Sequence, residues 1–277
     1  MISVIFSTYN SPDWMEKTLW GLHYQTFQDF EIIIADDGST HETQQRIAEF
    51  EQASQRNIKH VWQPDDGFQK TRILNKALME AEGDYVVFTD GDCIMRNDFL
   101  AVHDHYREPG YFLSGGYFKL PMSTSKAITR DDIANGRPFD VNWLVANGLK
   151  KTHKTMKLTA NGWKAKLLNT LTPTNASWNG HNASGWIKDI FAVNGFDERM
   201  QYGGEDRELG ERLLNRGLKS KQIRYSAICV HLDHARGYAT QEMRDKNQAI
   251  RNSTKSEKKI WTPYGIEKTE IAQASGS

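Results

Sequence analysis

The stretch Gly83–Cys93, GDYVVFTDGDC, joins a short apolar run to two carboxylates that stand two positions apart. Tyr85–Phe88 has the nearly continuous apolar pattern of a strand buried on both faces of a sheet. Asp90, Gly91 and Asp92 follow at the carboxyl end of this strand, where a parallel sheet binds its ligands. Aspartate and glycine also favour turns, so this stretch alone fits an ordinary turn as well as a binding site.

Three similar units precede this stretch. Apolar runs predict strands over 2–6, 31–35 and 58–62, and helical spacing of apolar residues predicts helices over 11–25, 40–52 and 70–81. Alternating strands and helices indicate an open, mostly parallel sheet with helices on both faces. Polar clusters also end these strands or begin the following helix, namely STYN at 7–10, DDG at 36–38 and GFQK at 67–70. We therefore expect one ligand site along this edge of the sheet.

Bulk composition excludes several classes of protein. Lys+Arg and Asp+Glu both number 35, so net charge gives no reason to expect a nucleic-acid partner. The two cysteines, Cys93 and Cys229, form no CxxC pair, which argues against a disulfide framework or zinc cluster and fits a reducing cytoplasm. The N-terminus lacks a signal peptide's basic region, and no apolar stretch approaches the roughly 20 residues of a membrane span. We expect a cytoplasmic protein, soluble or peripheral to the inner face of the membrane, and we exclude the closing ASGS from the fold.

Carboxylates and histidines predict a divalent metal site. Asp90 and Asp92 offer the hard oxygen ligands that Mg²⁺ and Mn²⁺ prefer. A last strand predicted over 225–230 leads into His231 and His234, either of which can add the imidazole ligand that Mn²⁺ accepts. The spacing of the two histidines does not decide between them, and the alternative is that both are structural.

Two further groups carry chemistry. Asp37 can accept a hydrogen bond from a nucleobase or a ribose, and Tyr9 can stack on a base; the alternatives are a turn and an ordinary aromatic at the rim of the core. Lys70 and Arg72 can bind phosphate or base, or can simply begin a solvated helix.

The pair Glu205–Asp206 begins a helix predicted over 205–216, directly after Gly203 and Gly204. A carboxylate beside a glycine-lined groove can take a proton from a sugar hydroxyl as a general base. The alternative is the helix dipole alone, which favours acidic residues at this position whatever their function.

Together these clusters resemble the family 2 glycosyltransferases, which have the GT-A fold. The matching segments are SVIFSTYNS, IIIADDGS, DDGFQKTRILNKAL and GDYVVFTDGDC. A later segment, NASGWIKDIFAVNGFDERMQYGGEDRELGERLL, is similar to the acceptor side of β-1,4-galactosyltransferases and bacterial chondroitin-type polymerases. The resemblance implies an inverting, Mn²⁺- or Mg²⁺-dependent enzyme that moves a hexose or N-acetylhexosamine from a UDP-sugar to a saccharide or lipid-linked saccharide hydroxyl. Bacterial surface polysaccharide or lipopolysaccharide synthesis would be its setting.

The resemblance also implies a role for each residue. Asp206 would be the general base and Glu205 would bind a sugar, while Asp92 and His234 would hold the metal, with His231 as the runner-up. Nucleotide-sugar contacts would come from Ser7, Tyr9, Asp37, Lys70, Arg72, Asp90 and Gly91. Acceptor contacts would come from Trp186, Tyr202, Gly203 and Gly204. Related enzymes usually have Trp where this chain has Tyr202, which leaves the sugar preference open.

This interpretation divides the chain into parts. We expect a single domain over 1–237, made of a nucleotide-sugar-binding part (1–119), a helical or loop insertion (120–184) and an acceptor and catalytic part (185–237). A flexible tail or lid would follow over 238–277. Two other functions remain: a sugar-nucleotide-binding protein without transferase activity, which would lack the metal or base carboxylates, and a nucleotidyltransferase, which would favour a glycine-rich basic loop after the first strand.

The insertion contains a basic stretch with interleaved apolar residues over 147–171. Such a pattern is typical of an amphipathic element that contacts a membrane surface, as a lipid-linked acceptor would require. The alternative is a solvated helical insertion with an ordinary core face.

Overall fold

The computed structural model describes residues 1–235 and 240–268. Its strands are β1 (Ile2–Thr8), β2 (Phe30–Asp36), β3 (Lys59–Trp62), β4 (Tyr85–Asp90), β5 (Cys93–Met95), β6 (Tyr111–Ser114), β7 (Gly116–Lys119), β8 (Ala183–Trp186), β9 (Lys219–Gln222) and β10 (Ile228–His231). Its helices are α1 (Pro12–His23), α2 (His41–Ser54), α3 (Lys70–Met79), α4 (Phe99–Tyr106), α5 (Met122–Ala127), α6 (Arg130–Ala134), α7 (Val141–Ala146), α8 (Met156–Thr159), α9 (Gly162–Leu171), α10 (Ile187–Phe191), α11 (Glu205–Asn215) and α12 (Gln241–Ser256). The predicted boundary at 237 and the end of the tail from 269 lie outside the described residues.

The first four predicted strands form one half of the main sheet, in the order β3-β2-β1-β4. β1 runs parallel to both β2 and β4, and its Ser7 lies opposite Ala35 and Asp90. This register brings the carboxyl ends of three strands level with one another. The parallel sheet predicted from the alternating pattern is therefore present.

The other half of the main sheet comes from residues after 110. β8 pairs with β4 antiparallel, β6 follows it antiparallel, and β9 closes the sheet parallel to β6. Because β8 runs against β4, the residues just before Ala183 lie beside the carboxyl end of β4. The predicted insertion therefore ends by entering the sheet.

A second, three-stranded sheet has the order β5-β10-β7. β10 runs antiparallel to β5, and His231 at its end lies opposite Cys93. The predicted final strand over 225–230 was displaced, because Tyr225 and Ser226 form a turn and the strand begins at Ile228. This small sheet places the histidines after β10 beside Asp92.

Apolar side chains fill both faces of the main sheet. Val4 and Phe6 point into one cluster with α1, whereas Ile5 points into the other with α3 and α11. This alternation explains why β1 reads as a continuous apolar run. Among the described helices, none is long and apolar enough to cross a membrane.

The segment after residue 240 forms a helix, which corrects the prediction of a flexible tail there. α12 packs on α11, where Arg251 pairs with Glu211 at 2.5 Å and Thr254 donates a hydrogen bond to Glu208 at 2.9 Å. Asn247, which is fully buried, bonds the backbone of Gln201 and Gly203. The helix therefore holds the loop that precedes Glu205, and movement of this helix as a lid stays a prediction.

We expect Asn247→Ala to lower the free energy of unfolding by about 1–3 kcal/mol, because buried backbone groups of the loop would lose their partner. Turnover should fall as well, since the same loop leads into Glu205 and Asp206. Urea denaturation and initial rates measure the two effects. Gln248→Ala, at an exposed neighbouring position on α12, is the matched control. If the two variants had equal stability and turnover, α12 would not hold this loop.

Candidate active site

A cavity of about 760 Å³ opens at the carboxyl ends of β1, β2 and β4. Its lining includes many of the residues predicted from the sequence: Ser7, Tyr9, Asp37, Lys70, Asp90, Gly91, Asp92, Tyr202, His231 and His234. The edge of the sheet therefore gathers side chains that lie more than 200 positions apart in the chain. Their individual roles stay predictions.

Asp37 lies on one side of this cavity and is nearly buried. Its carboxylate accepts hydrogen bonds from the Gln63 amide at 2.6 Å and from the backbone N–H of Gln69 at 2.9 Å. Burial raises its pKa, and these two bonds oppose the rise. Tyr9 stands nearby with 47% of its surface exposed and donates a hydrogen bond to Asp65. A fixed acceptor beside an open aromatic ring suits a nucleoside.

Gly91 allows β4 to turn tightly against β1. Its N–H bonds the carbonyl oxygen of Ser7 at 3.1 Å, and a Cβ at this position would lie only 2.7 Å from the same oxygen. Any larger residue would push the loop away from β1. The glycine of TDGDC thus fixes the distance between Asp90 and Asp92.

Asp90 forms an ion pair with Lys70, with 2.8 Å between Oδ1 and Nζ. Burial alone would raise the pKa of Asp90, but the Lys70 ammonium lowers it to about 2. Burial alone would lower the pKa of Lys70, but the negative charges of Asp90, Glu205 and Asp206 raise it above its ordinary value. Lys70 therefore stays charged, with the carboxyl groups of Asp90, Glu205 and Asp206 around it. We call the part of the lining formed by Lys70 and Asp90 the floor of the cavity.

Asp92 lies beside both histidines that the sequence singled out. Its Oδ2 is 3.0 Å from Nε2 of His234 and 3.5 Å from Nε2 of His231. One ligand atom from each of the three residues lies within 4.8 Å of the others, the spacing that a single metal ion requires. The structure brings both His231 and His234 to Asp92, and the preference for His234 as the ligand stays a prediction.

The orientation of the two rings fits a metal site. Nδ1 of His231 donates to the carbonyl oxygen of Leu232 at 2.7 Å, and Nδ1 of His234 donates to that of Ala235 at 2.9 Å. A carbonyl oxygen can only accept, so the proton of each neutral ring sits on Nδ1. Both Nε2 lone pairs are then directed toward the Asp92 carboxylate, an arrangement that a cation stabilises.

Glu205 and Asp206 begin α11 next to the cavity, beside the Lys70–Asp90 pair, although neither is among the residues that line it. The carboxylate of Asp206 accepts hydrogen bonds from the backbone N–H groups of Gly180 at 2.8 Å and Arg207 at 2.7 Å. A Cβ built on Gly180 would lie 3.6 Å from Lys70 Nζ, 3.8 Å from Asp90 Oδ1 and 3.9 Å from Asp206 Cβ. Gly180 therefore lies between Asp206, at the start of α11, and the Lys70–Asp90 pair.

Both acidic groups hold their protons more tightly than usual. Burial raises the pKa of Asp206, and the two N–H groups that it accepts from oppose the rise. Burial and then the charge of Asp206 raise the pKa of Glu205 to about 7. Gly203 and Gly204 before them have φ angles of 106° and 89°, a region that disfavours side chains. The glycines thus let the chain turn sharply into α11.

Besides the four residues from Gly203 to Asp206, two further predicted residues do not line the cavity. Arg72 faces Asp66 and Glu198, at 3.7 and 3.9 Å. The structure corrects the prediction that Trp186 contacts the acceptor. Trp186 pairs with Tyr85, at the opposite end of β4 from Asp90, and its indole N–H donates a hydrogen bond to the carbonyl oxygen of Glu108. Because β8 runs antiparallel to β4, its far end cannot reach an acceptor at this site.

Sequence reasoning missed several residues of the cavity. His181 lies just before β8, with its ring 4.3 Å from that of Tyr117, and burial lowers its pKa to about 4. Lys119, at the end of β7, pairs with Asp233 at 3.0 Å. His181, Tyr117 and Lys119 all lie where hydrophobic periodicity was weak or where no strand was predicted. The segment NGHN at 179–182 was the one available signal.

Comparison with known proteins finds a family match for the first part of the chain. The model of glycosyl transferase family 2 matches residues 3–111. This match covers β1 to β5 and ends before β8, α11 and β10. Among curated relatives, the chondroitin synthase of Escherichia coli is 29% identical over 252 residues, which cover 83% of this chain and 34% of that protein. The chain thus spans about a third of that relative's length.

Solved structures agree on the fold. The Staphylococcus aureus protein TarS 1–349 in complex with UDP-GlcNAc aligns with a TM-score of 0.59 at 18% identity, over 93% of this chain and 69% of that one. The mannosyltransferase PcManGT from Pyrobaculum calidifontis, in complex with GDP-Man and Mn²⁺, aligns with a TM-score of 0.57 at 20% identity, over 86% and 58%. The predicted GT-A fold is confirmed.

Proposed function

We propose that the protein transfers a hexose or N-acetylhexosamine from a UDP-sugar to a hydroxyl group of a saccharide, with inversion at the anomeric carbon. The observation that carries the proposal is the position of Asp206, a half-buried carboxylate at the start of α11, which lies with Gly180 beside the Lys70–Asp90 pair. A base and a diphosphate site on one surface suit a single displacement. The family 2 match supports transfer, and the TarS complex with UDP-GlcNAc supports a UDP-sugar.

Proton transfer is the step that we assign to Asp206. The attacking hydroxyl must lose its proton as its oxygen approaches the anomeric carbon from the face opposite the diphosphate. Asp206 accepts that proton, while the N–H groups of Gly180 and Arg207 hold its carboxylate in place. Glu205 binds a sugar hydroxyl, and Tyr202, Gly203 and Gly204 line the acceptor. Correct placement of both substrates supplies much of the rate.

The donor lies along β1, β2 and β4 in this proposal. Asp37 and Tyr9 bind the nucleoside, Ser7, Asp90 and Gly91 contact the ribose and the diphosphate, and Lys70 contributes positive charge to this part of the floor. Asp92, His231 and His234 would hold Mn²⁺ or Mg²⁺. When bound, the ion supplies charge that stabilises the departing nucleoside diphosphate.

The proposal also assigns parts of the chain to the two substrates and gives the protein a cellular location. We place the donor site in 1–119, the insertion in 120–184 and the acceptor and catalytic residues from 185 onward. Both cysteines are free and buried, which fits a reducing cytoplasm. The relative named chondroitin synthase supports a role in polysaccharide synthesis. In this proposal the protein works at the inner face of the membrane in surface polysaccharide or lipopolysaccharide synthesis, with a saccharide or lipid-linked saccharide as acceptor.

The proposal is tested by incubating the protein with a panel of UDP-sugars and Mn²⁺ and measuring the nucleotide released. We expect UDP, rather than pyrophosphate, from one or a few donors. With an acceptor saccharide, proton NMR of the product from an α-linked donor should show a β-glycoside. In a parallel reaction with UTP and sugar 1-phosphates, release of pyrophosphate would instead indicate a nucleotidyltransferase. Tight donor binding without release of UDP would indicate a binding protein.

A further inference from the structure

Helix α9 presents an apolar stripe away from the protein. Ala165 is buried and Asn169 bonds Ser226 and the backbone of Tyr225, so this side of the helix faces the body of the domain. At about 100° per residue, the opposite side of the helix carries three large apolar residues. They are exposed over much of their surface: Trp163 at 72%, Leu167 at 48% and Leu171 at 67%. The described part of the chain thus leaves a continuous apolar row in contact with solvent.

The surroundings of this row are basic. The chain contains 35 acidic residues in 277, yet no aspartate or glutamate occurs between Asp140 and Asp189. The same interval contains seven lysines: Lys150, Lys151, Lys154, Lys157, Lys164, Lys166 and Lys188. Lys164 and Lys166 flank the row on its two sides by helical geometry. A solvated surface of a protein with no net charge would normally mix both signs.

We propose that this surface, consisting of Trp163, Leu167 and Leu171 with the lysines of 150–166, docks on an anionic membrane. Leucine side chains bury their apolar surface below the headgroups, and tryptophan favours the boundary between headgroup and acyl chain. Lysines beside the row meet the negative surface potential of anionic lipids. An exposed apolar row with lysines on both sides of it matches this chemistry.

Other occupants fit the surface less well. A second copy in a symmetric dimer would place the same lysines opposite each other, with no carboxylate from this segment to pair with them. Nucleic acid would pair with the lysines, but it offers no apolar surface for Trp163, Leu167 and Leu171. An anionic membrane satisfies both the charge and the apolar row.

Membrane docking would hold the protein at a surface that carries lipid-linked acceptors, and this consequence rests on the proposed function. Docking itself does not, because it needs neither donor nor catalytic residues. An inactive protein that binds vesicles would refute the proposed function alone. An active protein that ignores vesicles would refute the docking surface alone.

The test is co-sedimentation of the full chain with vesicles of equal parts phosphatidylglycerol and phosphatidylcholine, and with phosphatidylcholine alone. We expect binding to the anionic vesicles only, weakened by salt. The triple variant Trp163→Ser, Leu167→Ser, Leu171→Ser should bind them about tenfold more weakly or worse. Lys164→Glu with Lys166→Glu should lose most of the charge-dependent part. The matched control is Lys76→Glu with Met79→Ser, two exposed positions on α3.

Thermal unfolding shows whether each variant is folded, and sedimentation velocity shows its oligomeric state. Equal vesicle binding by the triple variant and the wild type would overturn the proposal. So would a wild type that remains in the supernatant with anionic vesicles. A wild type that self-associates without binding vesicles, when the triple variant is monomeric, would assign the surface to a second copy instead.

Discussion

Asp206→Asn is expected to reduce kcat by about 10²–10⁴-fold, the usual contribution of a positioned general base. The amide oxygen of asparagine can still accept the hydrogen bond from Gly180, so the loop should keep its position. Binding of the UDP-sugar should change little, because the donor contacts lie on β1, β2 and β4. The measurements are initial rates and donor affinity by calorimetry.

Two controls separate base catalysis from a general disturbance of the site. Glu205→Gln should cost less than Asp206→Asn, since Glu205 is proposed to bind a sugar rather than to take the proton. Asp245→Asn, on the exposed side of α12, should leave the rate unchanged. Full activity in folded Asp206→Asn would refute the assignment of the base.

The pH profile gives an independent reading of the same residue. The base must be ionised to accept a proton, so the rate should fall as pH falls through its pKa. Burial raises the pKa of Asp206 above the ordinary aspartate value, so this fall should begin at a higher pH than for an exposed aspartate. Asp206→Asn should lose this acidic limb.

Removal of the metal is expected to be the second large effect. A chelator should abolish transfer, and added Mn²⁺ should restore it. Asp92→Asn, His231→Gln and His234→Gln should each weaken Mn²⁺ binding by at least about 10–100-fold, the loss seen when only a ligand's hydrogen-bond partner is removed. Calorimetric titration with Mn²⁺ measures this affinity without relying on turnover.

The two histidine variants also test the geometry. Both Nε2 atoms face Asp92, so His231→Gln and His234→Gln should have similar effects. His105→Gln, at an exposed position on α4, is the matched control. Wild-type affinity for Mn²⁺ in His231→Gln would leave His234 and Asp92 as the ligands, and undiminished transfer in chelator would remove the metal from the mechanism.

Local pattern was sufficient to predict which residues meet at the carboxyl ends of β1, β2 and β4. β1, β2 and β4 are continuous apolar runs, and their carboxyl ends must meet because adjacent strands of this sheet are parallel. That rule directly predicts that Asp37 and Asp90 lie at the same edge of the sheet. The order of β1 between β2 and β4 was not needed to place them on one edge.

Long-range pairing decided what the sequence could not predict. β8 is a four-residue strand, ASGW, whose partner lies about a hundred positions earlier, and nothing local indicates its direction. Its antiparallel course brings Gly180 and His181 to the floor and carries Trp186 away from it. The polar, charge-rich sequence of α12 likewise gave no sign of its packing on α11, which depends on buried polar contacts such as Asn247.

The antiparallel pairing of β4 with β8 also bears on the boundaries of the folding unit. The family match ends at residue 111, before β8 begins. A fragment limited to that match would leave Tyr85–Phe88 as an unpaired edge strand with a completely apolar sequence, the kind of edge that templates aggregation. The half of the sheet formed by β3, β2, β1 and β4 therefore depends on late segments to cover its edge. During synthesis, β4 must wait for about a hundred further residues before its outer edge is covered.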